Sequence, residues 1–187
     1  QLIQPNAAPG DVKFLKTAND GLPLNPEDRT YLGSGMPDAT FGLNLTANYK
    51  GFDFSCFFQG VGKADGYVTM EAIQPMGING ARKEHYKESF NPQDPKPGAY
   101  FPRILSSDYN YAYMSHWVQD ASYIRLKNLQ IGYSFKIKGL NQLRVYASGE
   151  NLFTATKYRT WDPETPVGAR GFYPNVAVYS MGVNLNF

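Results

Sequence analysis

The sequence is short of most of the features that staple, power or charge a small protein. Its one cysteine, Cys56, cannot form an internal disulfide, and the two histidines, His85 and His116, stand isolated from it, without the Cys/His spacing of a structural zinc site. Charge of one sign is missing too. Eighteen Lys and Arg face 16 Asp and Glu, a formal net charge of +2, which offers no clustered basic excess for a nucleic-acid surface. No window approaches the roughly 20 apolar residues of a membrane-spanning helix, and Gln1-Leu2-Ile3-Gln4-Pro5 is not a basic, then apolar leader. This excludes a helical membrane protein only. A barrel strand of about 9 to 11 alternating residues leaves no mark on such a test. Catalytic spacing is also lacking: there is no H-E-x-x-H, G-x-S-x-G or C-x-x-C. Gly60-Val61-Gly62-Lys63 lacks the upstream glycine and the following Ser or Thr of a phosphate loop. The chain is therefore not expected to be an enzyme or to hold a cofactor or a resident metal.

What is present is aromatic residues, 15% of the chain, together with 18 glycines, a composition that builds sheets. From Phe41 the pattern alternates: Phe41, Leu43, Leu45, Ala47 and Tyr49 on one face, Gly42, Asn44, Thr46 and Asn48 on the other. After Lys50-Gly51 it restarts with Phe52, Phe54, Cys56 and Phe58 against Asp53, Ser55 and Gln59, so a tight hairpin is expected. Phe57 is the exception. A third run sets Leu129, Ile131, Tyr133, Phe135 and Ile137 opposite Asn128, Gln130, Gly132, Ser134 and Lys136. Ile124 and Leu126 upstream have the opposite parity, which predicts a bulge or a change of environment near Lys127. Leu143, Val145, Ala147 and Gly149 then oppose Arg144, Tyr146, Ser148 and Glu150. The last strand sets Ala177, Tyr179, Met181, Val183, Leu185 and Phe187 against Val178, Ser180, Gly182, Asn184 and Asn186.

Short and long connections alternate between these five strands. If the strands are antiparallel neighbours, all the short turns lie at one end and all the long loops at the other, as in outer-membrane barrels. A strand of about 12 residues, at roughly 3.3 Å each and tilted by about 45°, covers about 28 Å, close to the apolar band of such barrels. The competing reading is a soluble β-sandwich that binds carbohydrate or protein, but sandwich strands are usually shorter and their loops are not sorted by length. Five strands cannot close a barrel. Either several chains contribute, or this is the C-terminal piece of a longer polypeptide; the start of the sequence favours the second, with Gln1 a mid-protein residue.

Three groups of residues are candidates for function. Trp161, Asp162 and Glu164, with Tyr158, Phe172 and Tyr173 nearby, combine aromatics and carboxylates as sugar- or peptide-gripping sites do, while Asp162-Pro163 is also an ordinary turn starter. Tyr109, Tyr111, Tyr113 and Trp117 form an aromatic run suited to an interfacial girdle or to packing under a loop. Asn19-Asp20-Gly21 suggests a calcium loop, but with Asp20 at the fifth position the first and third fall on Lys16 and Ala18, which donate no side-chain oxygen, so a plain turn is expected. The sequon Asn44-Leu45-Thr46 sits in a strand and reads as chance.

Pro9-Gly10-Asp11-Val12-Lys13, Asn19-Asp20-Gly21, Asp28-Arg29-Thr30-Tyr31-Leu32-Gly33, Pro37-Asp38 and Tyr49-Lys50-Gly51-Phe52-Asp53 follow one another along the chain. Then come Phe58-Gln59-Gly60, the stretch from Ala121 to Asn128, Gly149-Glu150-Asn151-Leu152-Phe153, Asp162-Pro163-Glu164 and a terminal aromatic. This ordered set resembles the late region of SusC/RagA-type TonB-dependent transporters. The resemblance implies an all-β fold: the C-terminal strands of a large transmembrane antiparallel β-barrel, 22-stranded in the complete protein and fitted with an N-terminal plug. It further implies a place in the outer membrane, in contact with its lipid, and a SusD-like surface lipoprotein as lid. The TonB-ExbB-ExbD complex would act through the N-terminal part, and the cargo would be glycan oligosaccharides or peptides. On this reading residues 1–38 form an external loop, 39–62 a barrel hairpin, 63–120 a long external loop, 121–153 a second hairpin, 154–175 an external loop and 176–187 the closing strand. Tyr158, Trp161, Asp162 and Glu164 become candidate ligand or lid contacts. The row Tyr179, Met181, Val183, Leu185 and Phe187 resembles an outer-membrane assembly signal.

Overall fold

The computed structural model describes residues 4, 6–68, 70–75, 80–104, 108–139, 141–159, 161–165 and 173–187. Two compact units are present, one of residues 34–67 and 119–187, the other of residues 1–33 and 68–118. No helix among the described residues is long and apolar enough to cross a membrane.

The first unit is built on a five-stranded antiparallel sheet. Its strands are β1 (Ala39–Tyr49), β2 (Phe52–Gly62), β5 (Tyr123–Phe135), β6 (Gln142–Thr156) and β7 (Val178–Asn186), and their spatial order is β1-β2-β5-β6-β7. The connection from β1 to β2 is as tight as the sequence suggests. Lys50 (φ 46°) and Gly51 (φ 90°) both take positive φ, the requirement of the two-residue turn whose twist matches the strands it joins. A separate ribbon pairs β3 (Asp65–Tyr67) with β4 (Val118–Asp120).

The register keeps every apolar row on one face. Leu45 lies opposite Cys56, Cys56 opposite Leu129, Leu129 opposite Gly149, and Gly149 opposite Tyr179. On the other face Thr46 meets Ser55, Ser55 meets Gln130, Gln130 meets Ser148 and Ser148 meets Ser180. The parity break in β5 is a true irregularity: the register shifts between Leu126 and Asn128, and β6 answers it with Asn151 at φ 51°. One extra residue restores the phase, so Ile124 and Leu126 share the apolar face with Leu129 and Ile131.

A soluble sandwich would bury that apolar face under a second sheet. Here it is bare: Phe41 is 48%, Phe153 61% and Met181 90% exposed. The sandwich alternative therefore fails on the arrangement itself, which is a single antiparallel sheet with one apolar and one polar face, open at β1 and β7. It is all-β architecture of the membrane-barrel kind.

The second unit contains the short helices α1 (Met70–Ile73) and α2 (Lys83–Glu88) around a small core. Val68, Ile73, Phe101, Tyr111 and Trp117 are buried in it together with His85 and Asn110. Trp117 Nε1 donates to the Asn110 carbonyl at 3.1 Å, and Asn110 in turn accepts from Val12 N and donates to Asp11 Oδ1. Arg103 closes this arrangement with a two-pronged contact to Asp11 at 2.6 and 2.8 Å. That contact holds the Asp11 carboxyl down at about 2, aided by Asn110 and the Ala8 N–H and opposed by burial. Of the expected aromatic run, Tyr111 and Trp117 pack inside, Tyr113 points to solvent, and the Tyr109 side chain is outside the description.

Candidate functional site

The most strongly organised polar site lies on the polar face of the sheet, at the β5 bulge. Arg125 lies in register with Gln59 on one side and Thr154 on the other, a position that the alternation assigns to the polar face. Its guanidinium donates from Nε to Thr154 Oγ1 and from Nη2 to Asp162 Oδ1, both at 2.8 Å, and Nη1 lies 3.1 Å from Glu164 Oε2. Lys127, the residue at the bulge, reaches Glu164 Oε1 at 2.7 Å. Tyr123 donates its hydroxyl to the same carboxylate at 3.1 Å and accepts from Gln59 Nε2 at 3.1 Å.

The carboxylates arrive on the loop after β6. Asp162 Oδ1 also accepts from Glu164 N, and its Oδ2 from Asn175 N, while the Asp162 carbonyl accepts from Thr165 N. That Asx-type turn aims both carboxylates at the strand. Two cations and two anions cancel, which is the condition for keeping Arg125 and Asp162 side chains at only 3% and 6% exposure.

A second pair lies lower on the same face. Arg144 on β6 reaches over β5 to Asp53 on β2, Nε to Oδ1 at 2.9 Å. The strand between contributes Gly132, where an added Cβ would fall between the Asp53 carboxylate and the Arg144 guanidinium. Glycine is what lets the pair close across a strand. Between the two charged clusters the face is concave, a recess of about 500 Å³ lined by Asn44, Thr46, Ser55, Phe57, Asn128, Gln130, Ser148 and Glu150 among others.

The structure brings together only part of the sequence-derived set. Asp162 and Glu164 share one cluster, but their carboxylates are turned onto Arg125 and Lys127. Tyr158 is buried, its ring lying over Gly66 of β3, and Trp161 is half-buried. Tyr173 is exposed, and Phe172 lies outside the described residues. Arg125, Lys127, Tyr123, Gln59 and Asn175 were not identified from the sequence. Their signal was two cations at alternate positions of a strand, Arg125 and Lys127, for which a polar face inside a sheet needs counter-charges. In the other candidate row, Tyr179, Met181, Val183, Leu185 and Phe187 are all exposed, along the β7 edge strand and just past its end. Among the described residues no group of three or more His, Cys, Asp and Glu is placed to hold a metal ion.

No protein-family model matches the chain. It is 33% identical, over 99% of its length, to TonB-dependent receptor P3 of Formosa agariphila, and 26% identical over its whole length to TonB-dependent receptor SusC of Bacteroides thetaiotaomicron. It spans about one fifth of these curated relatives, 20% of the first and 19% of the second. Among solved structures it is similar to the RagAB peptide transporter, with a TM-score of 0.65 and 26% identity over 83% of the chain and 18% of that chain. The RagAB peptide importer in its open-open state gives a TM-score of 0.64 at the same identity and coverage.

Proposed function

We propose that this chain, a member of the SusC/RagA family of TonB-dependent receptors, forms barrel wall and external loop of an active importer in the outer membrane. The observation that carries this reading is the two-faced sheet, apolar and bare on one side, hydrogen-bonding and charge-paired on the other. Lipid covers the first face and the lumen runs along the second. The relatives are receptors and transporters, not enzymes, and the chain contributes passage and recognition, with no chemistry of its own.

The cargo is a glycan oligosaccharide or a peptide. A SusD-like lipoprotein lids the loops, and the TonB-ExbB-ExbD complex supplies energy through a plug to which no residue here is assigned. Residues 1–38, 63–118 and 156–174 face outward. Within the last of these, Asp162 and Glu164 anchor the loop to Arg125 and Lys127, Tyr158 packs inside over Gly66, and the half-buried Trp161 is the aromatic left for contact with lid or ligand. Tyr179 to Phe187 form the closing strand that the assembly machinery reads.

Labelling of intact cells tests the orientation. With a single cysteine at Gln93 in the full-length protein, with Cys56 replaced by Ser, a membrane-impermeant maleimide should react without opening the outer membrane. Reaction only after the membrane is opened would reverse the topology.

A further inference from the structure

Asp20 and Asp28 are eight residues apart in sequence, yet both carboxylates converge on one ammonium. Lys16 Nζ lies 2.7 Å from Asp20 Oδ1 and 2.9 Å from Asp28 Oδ2, with the Lys16 and Asp28 side chains only 15% and 6% exposed. Backbone N–H groups donate to the same two carboxylates. Thr17 N and Ala18 N donate to Asp28 Oδ1 at 2.8 Å each, Asn25 N to Asp28 Oδ2 at 3.0 Å, and Leu22 N to Asp20 Oδ1 at 3.0 Å. Asn25 Nδ2 reaches Asp20 Oδ2 at 2.6 Å, and the Asn25 side chain also caps the 3-10 turn Pro26–Asp28.

We propose that Lys16 is the built-in cation of this loop: its ammonium stands between the two carboxylates where a bound ion would otherwise be needed, so that residues 16–28 order without a divalent metal. Two carboxylates aimed at one point must be neutralised by a proton, a metal or a tethered cation. With Lys16 in place both carboxylates are acidic, and no proton is held between them. Asp20 is held at about 2, first by Lys16 and then by Asn25 and Leu22 N, and Asp28 is held low by Ala18 N, Lys16 and other donors although burial pushes it up. A hard divalent cation such as calcium takes six to eight oxygens, but the groups turned on these carboxylates are N–H donors, which compete with a metal. The tethered ammonium is the solution that remains, and chelation cannot remove it. The backbone held by these contacts keeps Leu15 and Leu22 in solvent, 80% and 59% exposed.

This inference is independent of what the transporter carries. Hydrogen exchange of the full-length protein tests it, comparing peptides over residues 16–28 in chelator and in excess calcium, with peptides over β5 as internal control. Wild-type exchange should be identical in both media, and Lys16→Met should accelerate it at least about fivefold while β5 is unchanged. Slower wild-type exchange in calcium would overturn the proposal, as would a Lys16→Met loop that exchanges like wild type. Should the variant fail to assemble, the chelator comparison on the wild type decides alone.

Discussion

Arg125 shows how little a single residue's role depends on its own neighbourhood in sequence. It is charged, buried and paired with groups from β6 and from the following loop, so its removal leaves buried Asp162 without a cationic partner and Glu164 with Lys127 as its one cation. Arg125→Met should cost on the order of 3 to 5 kcal/mol, measured as a lower unfolding midpoint of the full-length protein in detergent. A change within error would mean that water enters and solvates the carboxylates. His85 makes a second case. Its Nδ1 accepts from Arg82 N at 3.1 Å, which fixes the proton on Nε2, and Nε2 donates to the Ala72 carbonyl at 3.0 Å. Burial depresses its pKa, with Arg82 acting in the same sense and the Ala72 carbonyl and Glu84 opposing. The unfolded chain therefore takes up a proton that the folded one refuses, so the contribution of neutral His85 is complete above about pH 6.5 and is lost as pH falls through its lowered folded value. The protection against hydrogen exchange around α2, taken relative to the intrinsic exchange rate at each pH, should fall from pH 7.5 to 5 in wild type and lose that dependence in His85→Gln. Equal pH profiles for the two proteins would remove His85 as the cause.

At the scale of elements, the sheet is governed by parity and by glycine. The eight positions Phe41, Leu45, Leu129, Ile131, Leu143, Val145, Val183 and Leu185 share one face through four consecutive registers, and Asn44, Asn128, Gln130, Arg144, Glu150 and Asn184 share the other. Arg placed at Ile131 should cost about 2 to 4 kcal/mol where lipid covers it, and Arg at the adjacent Gln130 much less. Folding titrations of the full-length protein into lipid vesicles read that difference, and equal costs would sink the assignment of faces. Gly132→Val puts a branched side chain where the Asp53–Arg144 pair crosses, and should lower the amount of assembled barrel well below that of Gly62→Val, where an added Cβ meets nothing. Strand positions and the β5 bulge were legible because eleven to fifteen residues display a period of two several times over. The ribbon of β3 and β4 was not: three residues are too few to show a period. The same holds for α2, six residues long.

For the whole molecule, the question is how an open sheet becomes a closed wall. Both β1 and β7 are edges of the five-stranded sheet, and backbone groups left unpaired in lipid cost several kcal/mol each. The proposed closing strand carries the exposed row from Tyr179 to Phe187. Replacing Tyr179 and Phe187 with Ser should reduce the surface abundance of the full-length protein far more than matched changes at Asn184 and Asn186. Equal abundance for the two double variants would remove the row's role in assembly.

The alternation of side chains determined by itself which residues share a face, how many long strands there are and which connection is a tight turn, because a period of two is a local property of extended backbone. Separately from that alternation, the sequence holds the ordered motifs that resemble the family. What the tertiary structure alone decided was the meaning of the charges. Asp162 and Glu164 read as outward ligand groups in a loop of aromatics, and became the counter-ions of Arg125 and Lys127 once strand and loop were brought together. Lys16 read as the residue that spoils a metal loop, and became the ion at its centre. Pairings such as Arg125 with Asp162, or Lys16 with Asp28, leave no period in a sequence; they follow from the need to neutralise each charge withdrawn from water, and only the folded chain shows which partner meets it.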